Sequence, residues 1–113
     1  LPRLIGKVKA MQLIMMNDVL TAEQALDWGL INEVVPADKL MSRVMEVAHQ
    51  LAKGPTLAYG EAKRLVVDSL SNGLETQMEL ETRAISGLAR ASKDTQEGIA
   101  AFVGKRSPDF KGH

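Results

Sequence analysis

The sequence contains no cysteine, which excludes a disulfide framework and a zinc cluster built on thiolates. Histidine is scarce too, and because His49 and His113 lie far apart along the chain we expect no metal site. Aromatic residues make up 4% of the chain, and the 14 basic residues are balanced by 14 acidic ones. A chain that has no net charge, and no stripe of basic residues interleaved with aromatic ones, is not expected to bind nucleic acid.

Long apolar runs are also missing. The longest, AMQLIMM from Ala10, is far shorter than the ~20 residues that a membrane span needs. Nothing resembles a targeting segment. We therefore expect no membrane partner, and the absence of cysteine is compatible with the cytoplasmic location that we predict.

The 113 residues are 45% hydrophobic, enough for a core, and correspond to one domain or part of a larger one. Glycine and proline punctuate a series of segments with helical periodicity. The sequence therefore predicts an all-α fold of five to six short helices, joined by short turns, with one orphan extended segment.

The first helix is predicted from about Lys7 to Met16, after a helical turn that Gly6 closes. Its apolar positions recur at helical spacing; they are Leu4, Val8, Met11 and Met15. We expect them to belong to a core, and the alternative is that this Met-rich stripe is an adaptable binding surface. A short second helix begins with a capping-box pattern at Thr21 and Gln24, and Gly29 is placed to end it in a left-handed turn.

The β-branched segment Ile31–Val35 lies between Gly29 and Pro36 and predicts a short strand or an extended segment. No other part of the chain reads as a strand. A lone strand must find its hydrogen bonds elsewhere, so this segment is an orphan within the chain.

Three further helices are predicted at 38–53, at 55–70 and after the turn at Asn72 and Gly73. Gly60 inside the second of these suggests a close helix contact, because glycine costs ~1 kcal/mol there relative to alanine. In the third, Glu81 falls in the apolar row. It is open to a catalytic interpretation, but an ion pair across helices or a partly buried stripe explains it as well.

The last helix has Asp94 and Glu97 as a predicted cap and its reciprocal partner. It ends at Lys105 and Arg106, between Phe102 and Phe110. Two interpretations of this cation pair stay open from the residues alone: a solvated helix end that complements the helix dipole, or a grip on a phosphorylated ligand. No nucleophile elbow, phosphate-binding glycine loop or paired-carboxylate motif is present, so no catalytic residue is predicted.

In family order and with family spacing, four stretches resemble the C-terminal third of the enoyl-CoA hydratase/isomerase (crotonase) family. They are LPRLIG at 1–6, LTAEQALDWGLINEVVP at 20–36, KGPTLAYGEAK at 53–63 and EGIAAFVGKRSPDFKGH at 97–113. The resemblance implies that residues 1–113 are the C-terminal helical region of a crotonase-like protein, which covers the coenzyme A and builds oligomer contacts. It also implies that the N-terminal catalytic domain, with its oxyanion donors and acid/base carboxylates, is absent from this chain.

For single residues, the resemblance implies that Lys105 contacts the coenzyme A phosphates and that Phe102 packs beneath it; Arg106 stays unassigned. The implied partner is an acyl-CoA substrate, with coenzyme A as part of the substrate and no separate cofactor. A homo-oligomer is implied as well, a trimer or hexamer for the parent enzyme and a dimer or higher for this chain. We expect the chain alone to be inactive, and the alternative function is a stand-alone helical oligomerisation module without catalysis.

Overall fold

The computed structural model describes all residues, 1–113, and contains six α-helices and no β-strand. The helices are α1 (Pro2–Met16), α2 (Ala22–Asp27), α3 (Leu40–Ala52), α4 (Thr56–Asp68), α5 (Leu74–Ala91) and α6 (Lys93–Val103), with a 3₁₀ turn at Ala37–Lys39. The predicted all-α fold is confirmed. The chain divides into two compact units, Leu1–Arg43 and Val44–His113.

In the first unit, Gly6 divides α1 into a short N-terminal turn and a longer helix. Its backbone has φ 79° and ψ 163°, which is not helical, and glycine adopts a positive φ without a Cβ penalty. Pro2 stands in the first turn of α1, where its missing N–H costs no helical hydrogen bond. The prediction of a turn closed by Gly6 and a helix from Lys7 to Met16 is therefore confirmed.

The ends of α2 follow the predicted capping chemistry. The Gln24 N–H donates to Thr21 Oγ1 at 3.2 Å, and the Thr21 N–H donates to Gln24 Oε1 at 3.0 Å. After the helix, Gly29 has φ 72° and the Leu30 N–H reaches back to the Ala25 carbonyl at 2.9 Å. This is the left-handed turn that Gly29 predicts.

The orphan segment Ile31–Val35 forms an irregular connection between α2 and the 3₁₀ turn. Of the two predicted alternatives, the β-strand is wrong, because no second strand exists to supply ladder hydrogen bonds. Within it, the Glu33 carboxylate accepts from Arg43 Nε at 2.9 and 3.0 Å. A side-chain pair thus connects this segment to α3.

In the second unit, α4 packs against α5 and α5 against α6. Gln77 of α5 donates to the Leu65 carbonyl of α4 at 3.1 Å and links the two helices. The predicted close contact at Gly60 is wrong within this chain, because an added Cβ would meet nothing within 4 Å. The most crowded glycine is Gly54, where an added Cβ would collide with the Tyr59 side chain.

Very little apolar side-chain surface is buried. The buried hydrophobic residues are Ile5, Ala10 and Ala101, whereas the predicted core residues Val8 and Met15 are 81% and 72% exposed. All six methionines of the chain are exposed; they are Met11, Met15, Met16, Met41, Met45 and Met78. The apolar stripe of α1 exists as predicted, but the expectation that it belongs to a core within this chain is wrong.

Candidate functional site

The C-terminal end of α6 carries the two cations that the sequence singles out. The Arg106 N–H donates to the Ala101 carbonyl at 3.0 Å, and the Lys105 N–H to the Phe102 carbonyl at 3.2 Å. These are the two hydrogen bonds of a Schellman motif, which places Lys105 in the left-handed position with φ 50°. Pro108 follows shortly and cannot continue the helix. The chain therefore turns sharply at Lys105.

Arg106 forms a forked ion pair with Glu97, one of the residues of α6. Its Nη1 donates to Glu97 Oε1 at 2.6 Å and its Nη2 to Oε2 at 2.8 Å. The Asp109 N–H donates to the same carboxylate at 2.9 Å. Arg106, which the sequence left unassigned, thus binds the segment after α6 back onto the helix.

This pairing changes the acidity of both groups. The Arg106 hydrogen bonds first, and the Asp109 N–H second, lower the pKa of Glu97 from 4.5 to about 2. The same hydrogen bonds raise the pKa of Arg106. Because the pKa of Glu97 is lower in the folded chain, its contribution to stability is complete above the ordinary carboxyl pKa and is lost as the pH falls towards 2.

Asp94 is buried, with 3% exposure, and holds the C-terminal segment 107–113. Its two carboxylate oxygens accept from the backbone N–H groups of Lys111 and Gly112, each at 2.7 Å. Its own N–H donates to the His113 carbonyl at 3.1 Å. The predicted capping role of Asp94 is wrong: the N-cap is Ser92, whose Oγ accepts from the Thr95 N–H at 3.3 Å.

Sequence reasoning missed the functions of Asp94 and Glu97 as anchors. Both carboxylates meet residues that are 9 to 18 positions further along the chain. No periodicity connects such positions, because they meet only where the chain folds back after α6. The sequence shows the acidic residues in the first turns of α6, but it does not show which residues they contact.

Lys105 and Phe102, the predicted ligand-contacting residues, are both on the surface. The Lys105 ammonium makes no ion pair or hydrogen bond within the chain. The Phe102 side chain is 85% exposed, so no other residue of this chain covers its ring. The structure therefore presents an exposed cation and an exposed apolar ring three residues apart along the chain, and their contact with a ligand stays a prediction.

The other candidate residues show no catalytic arrangement. Glu81 accepts a hydrogen bond from Gln77 of the same helix at 3.0 Å and forms no ion pair across helices. It lies beside an open groove of about 330 Å³ with Leu65, Val66 and Ile85. No group of three or more histidine and acidic residues could hold a metal ion, and none of the helices is long and apolar enough to cross a membrane.

Comparison with known proteins gives a consistent result. A family model described as enoyl-CoA hydratase/isomerase matches residues 1–113. The 1,2-epoxyphenylacetyl-CoA isomerase of Escherichia coli K12 is 41% identical over 99% of this chain and 42% of its own length. The 2,3-dehydroadipyl-CoA hydratase of the same strain is 35% identical over 97% of this chain and 43% of its own length.

The solved structure of an enoyl-CoA hydratase from Bacillus anthracis superposes on 99% of this chain with a TM-score of 0.90 and 34% identity. The superposition covers 43% of that structure's chain. The present chain thus spans about two fifths of the length of the relatives that it matches.

Proposed function

The chain belongs to the enoyl-CoA hydratase/isomerase family, and from that membership we propose that it is the C-terminal helical part of an enzyme acting on acyl-CoA thioesters. In this proposal it contributes subunit contacts and part of the coenzyme A site. Coenzyme A belongs to the substrate, and no separate cofactor is proposed. The assembled enzyme is proposed to be a trimer or hexamer, and the chain alone a dimer or larger.

One observation supports the coenzyme A contact above the others. Of the two adjacent cations, Arg106 is neutralised by Glu97, whereas the Lys105 ammonium has no partner in the chain. A lysine ammonium is a compact charge on a flexible stem, suited to a phosphate group. The exposed ring of Phe102, three residues earlier, adds an apolar surface at the same end of α6. We propose that Lys105 binds a phosphate of coenzyme A and that Phe102 supports the contact.

We propose that the groups which the reaction requires lie outside this chain. The enolate oxygen that develops in such chemistry must be held by preorganised donors, and a carboxylate must move the proton. The two carboxylates of α6 are already engaged, Glu97 by Arg106 and Asp94 by backbone N–H groups. We therefore propose that the catalytic groups lie in the part of the family fold that this chain does not span.

The proposed phosphate contact is tested by Lys105→Ala in the complete enzyme. We expect the KM for acyl-CoA to rise about five- to thirtyfold, which corresponds to roughly 1–2 kcal/mol for one partly exposed charge-assisted contact. The value of kcat should change little, because the contact is the same in the ground and transition states. The effect should shrink as the salt concentration rises.

Two controls accompany this substitution. Lys93→Ala makes the same charge change at the opposite end of α6 and should leave KM unchanged. Acyl thioesters of pantetheine lack the nucleotide, so Lys105→Ala should not affect their turnover. Equal losses with these truncated substrates, or an equal effect of Lys93→Ala, would contradict the phosphate contact. Arg106→Ala is unsuitable as a control because it breaks the Glu97 ion pair.

The exposed apolar stripes favour a second candidate, a stand-alone oligomerisation module without catalysis. Both candidates predict that the 113-residue chain does not hydrate crotonyl-CoA, which a spectrophotometric assay measures. Turnover by the purified chain would overturn the proposal that its catalytic groups lie elsewhere. Both candidates predict association of the chain, so the Lys105→Ala enzyme separates them: an unchanged KM for acyl-CoA would favour the module.

A further inference from the structure

The forked ion pair between Glu97 and Arg106 lies directly after the turn that carries Lys105. We infer that Glu97 is a positioning residue: through Arg106 it holds the left-handed turn that presents the Lys105 ammonium to a phosphate of the ligand. This inference rests on the proposed function of Lys105. It adds that the Glu97–Arg106 ion pair fixes the orientation of the Lys105 side chain.

The backbone of Lys105 gives the first reason. A φ of 50° is unfavourable for a residue with a Cβ, and Lys105 shares a positive φ with only one other non-glycine residue, Asn17. Asparagine tolerates this conformation better than lysine, and glycine is the usual residue at this position of a helix end. A lysine keeps such a conformation only where its surroundings hold it there.

The contacts on the C-terminal side of Lys105 supply this restraint. The Arg106 guanidinium is fixed by both Glu97 oxygens and donates to the Ser107 carbonyl at 3.2 Å. Glu97 also accepts from the Asp109 N–H, so one carboxylate binds both a side chain and the backbone of the returning segment. Asp94 holds the same segment at Lys111 and Gly112. Lys105 is therefore held between the last turn of α6 and a segment that is fixed at two carboxylates.

The two cations thus have different functions. Glu97 neutralises Arg106 and leaves the Lys105 ammonium without an anionic partner in the chain. If Glu97 were released from Arg106, the turn could relax to a conformation with a negative φ, and the lysine would point elsewhere for part of the time. An apparent affinity falls in proportion to the population of the competent conformation.

The sign of the effect separates positioning from simple electrostatics. Glu97→Gln removes a negative charge close to a proposed anion site, so the electrostatic effect alone would strengthen binding and lower the KM for acyl-CoA. Loss of the ion pair that holds the turn would instead weaken binding. The two accounts predict opposite changes.

The test uses the complete enzyme and the kinetics of acyl-CoA turnover. We expect Glu97→Gln to raise KM about fivefold with kcat unchanged, since a left-handed residue without its restraint is a minor conformer. In the Lys105→Ala background the same substitution should have no further effect on KM, because the residue that it positions is gone. Arg106→Lys retains the charge but loses the fork and should raise KM in the same way.

Glu79→Gln is the matched control, because Glu79 pairs with Arg83 on the surface of α5 and the substitution removes the same charge. It should leave KM unchanged. A KM that is unchanged or lowered in Glu97→Gln, a parallel fall in kcat, or an undiminished effect in the Lys105→Ala background would overturn the inference. If Lys105→Ala itself leaves KM unchanged, the proposed function fails; if only Glu97→Gln is silent, the positioning inference fails alone.

Discussion

At the scale of single residues, Asp94 is the most buried ionisable side chain of the chain. Its carboxylate is almost fully removed from water and accepts two backbone hydrogen bonds of 2.7 Å. A buried charge is tolerated where hydrogen bonds of this kind satisfy it. Asp94 therefore holds the residues after α6 against the start of that helix.

Asp94→Ala should lower the free energy of unfolding by roughly 1–3 kcal/mol, because it leaves the Lys111 and Gly112 N–H groups without their acceptor. Urea denaturation measures the loss, and faster amide hydrogen exchange at these two residues locates it. Asp109→Ala removes an exposed carboxylate from the same segment and is the control, expected to stay within about 0.5 kcal/mol. Equal effects of the two substitutions would contradict the anchoring function of Asp94.

At this scale the sequence identified the cations but not their partners. Lys105 and Phe102 were selected by family resemblance, and the phosphate contact stays a prediction. Arg106 had no assignment because its partner, Glu97, is nine residues away on α6, outside the reach of local patterns. Asp94 looked like a cap because a helix start and a nearby acidic residue form a local pattern, whereas its real partners are tertiary.

At the scale of elements, the helices were predictable because periodicity and punctuation are local. The predicted helix at 55–70 is observed as Thr56–Asp68, and Gly6 and Gly29 adopt the positive φ that their positions required. The strand alternative for Ile31–Val35 was wrong because propensity alone cannot supply a pairing partner. The close contact expected at Gly60 was wrong because no element of this chain approaches it.

The two left-handed turns at Gly29 and Lys105 differ in how well the sequence predicts them. Gly29 and Lys105 occupy the same position of a Schellman motif, with φ 72° and φ 50°. A glycine in the sequence predicts such a turn, because a residue without a Cβ adopts a positive φ readily. A lysine does not predict it. The conformation of Lys105 is explained only by the contacts of Arg106 and the Asp109 N–H with Glu97.

At the scale of the whole molecule, the apolar stripe of α1 was predicted to belong to a core and lies on the surface. A stripe establishes that one face of a helix is apolar but does not say what covers it. Val8, Met15 and Phe102 are 81%, 72% and 85% exposed. Because monomeric proteins rarely expose contiguous apolar patches beyond a few hundred Å², we expect other protein surface to cover these faces.

We therefore expect the 113-residue chain to associate in solution, as light scattering over a dilution series would show. Val8→Glu and Met15→Glu together should weaken this association, since charge on an apolar face opposes its burial. Val19→Glu is the control, because Val19 is 93% exposed and lies outside the helices. A monodisperse monomer at every concentration would contradict this expectation.

The exposure of all six methionines has a chemical consequence. In a chain without cysteine, the methionine thioethers are the only sulfur that an oxidant can attack, and each becomes a polar sulfoxide. Peroxide would thus convert part of the apolar surface of α1 and α3 into polar surface, and reductases would restore it. Cover by other protein surface would shield these sulfurs, so the extent of sulfoxide formation would report how much of each face is covered.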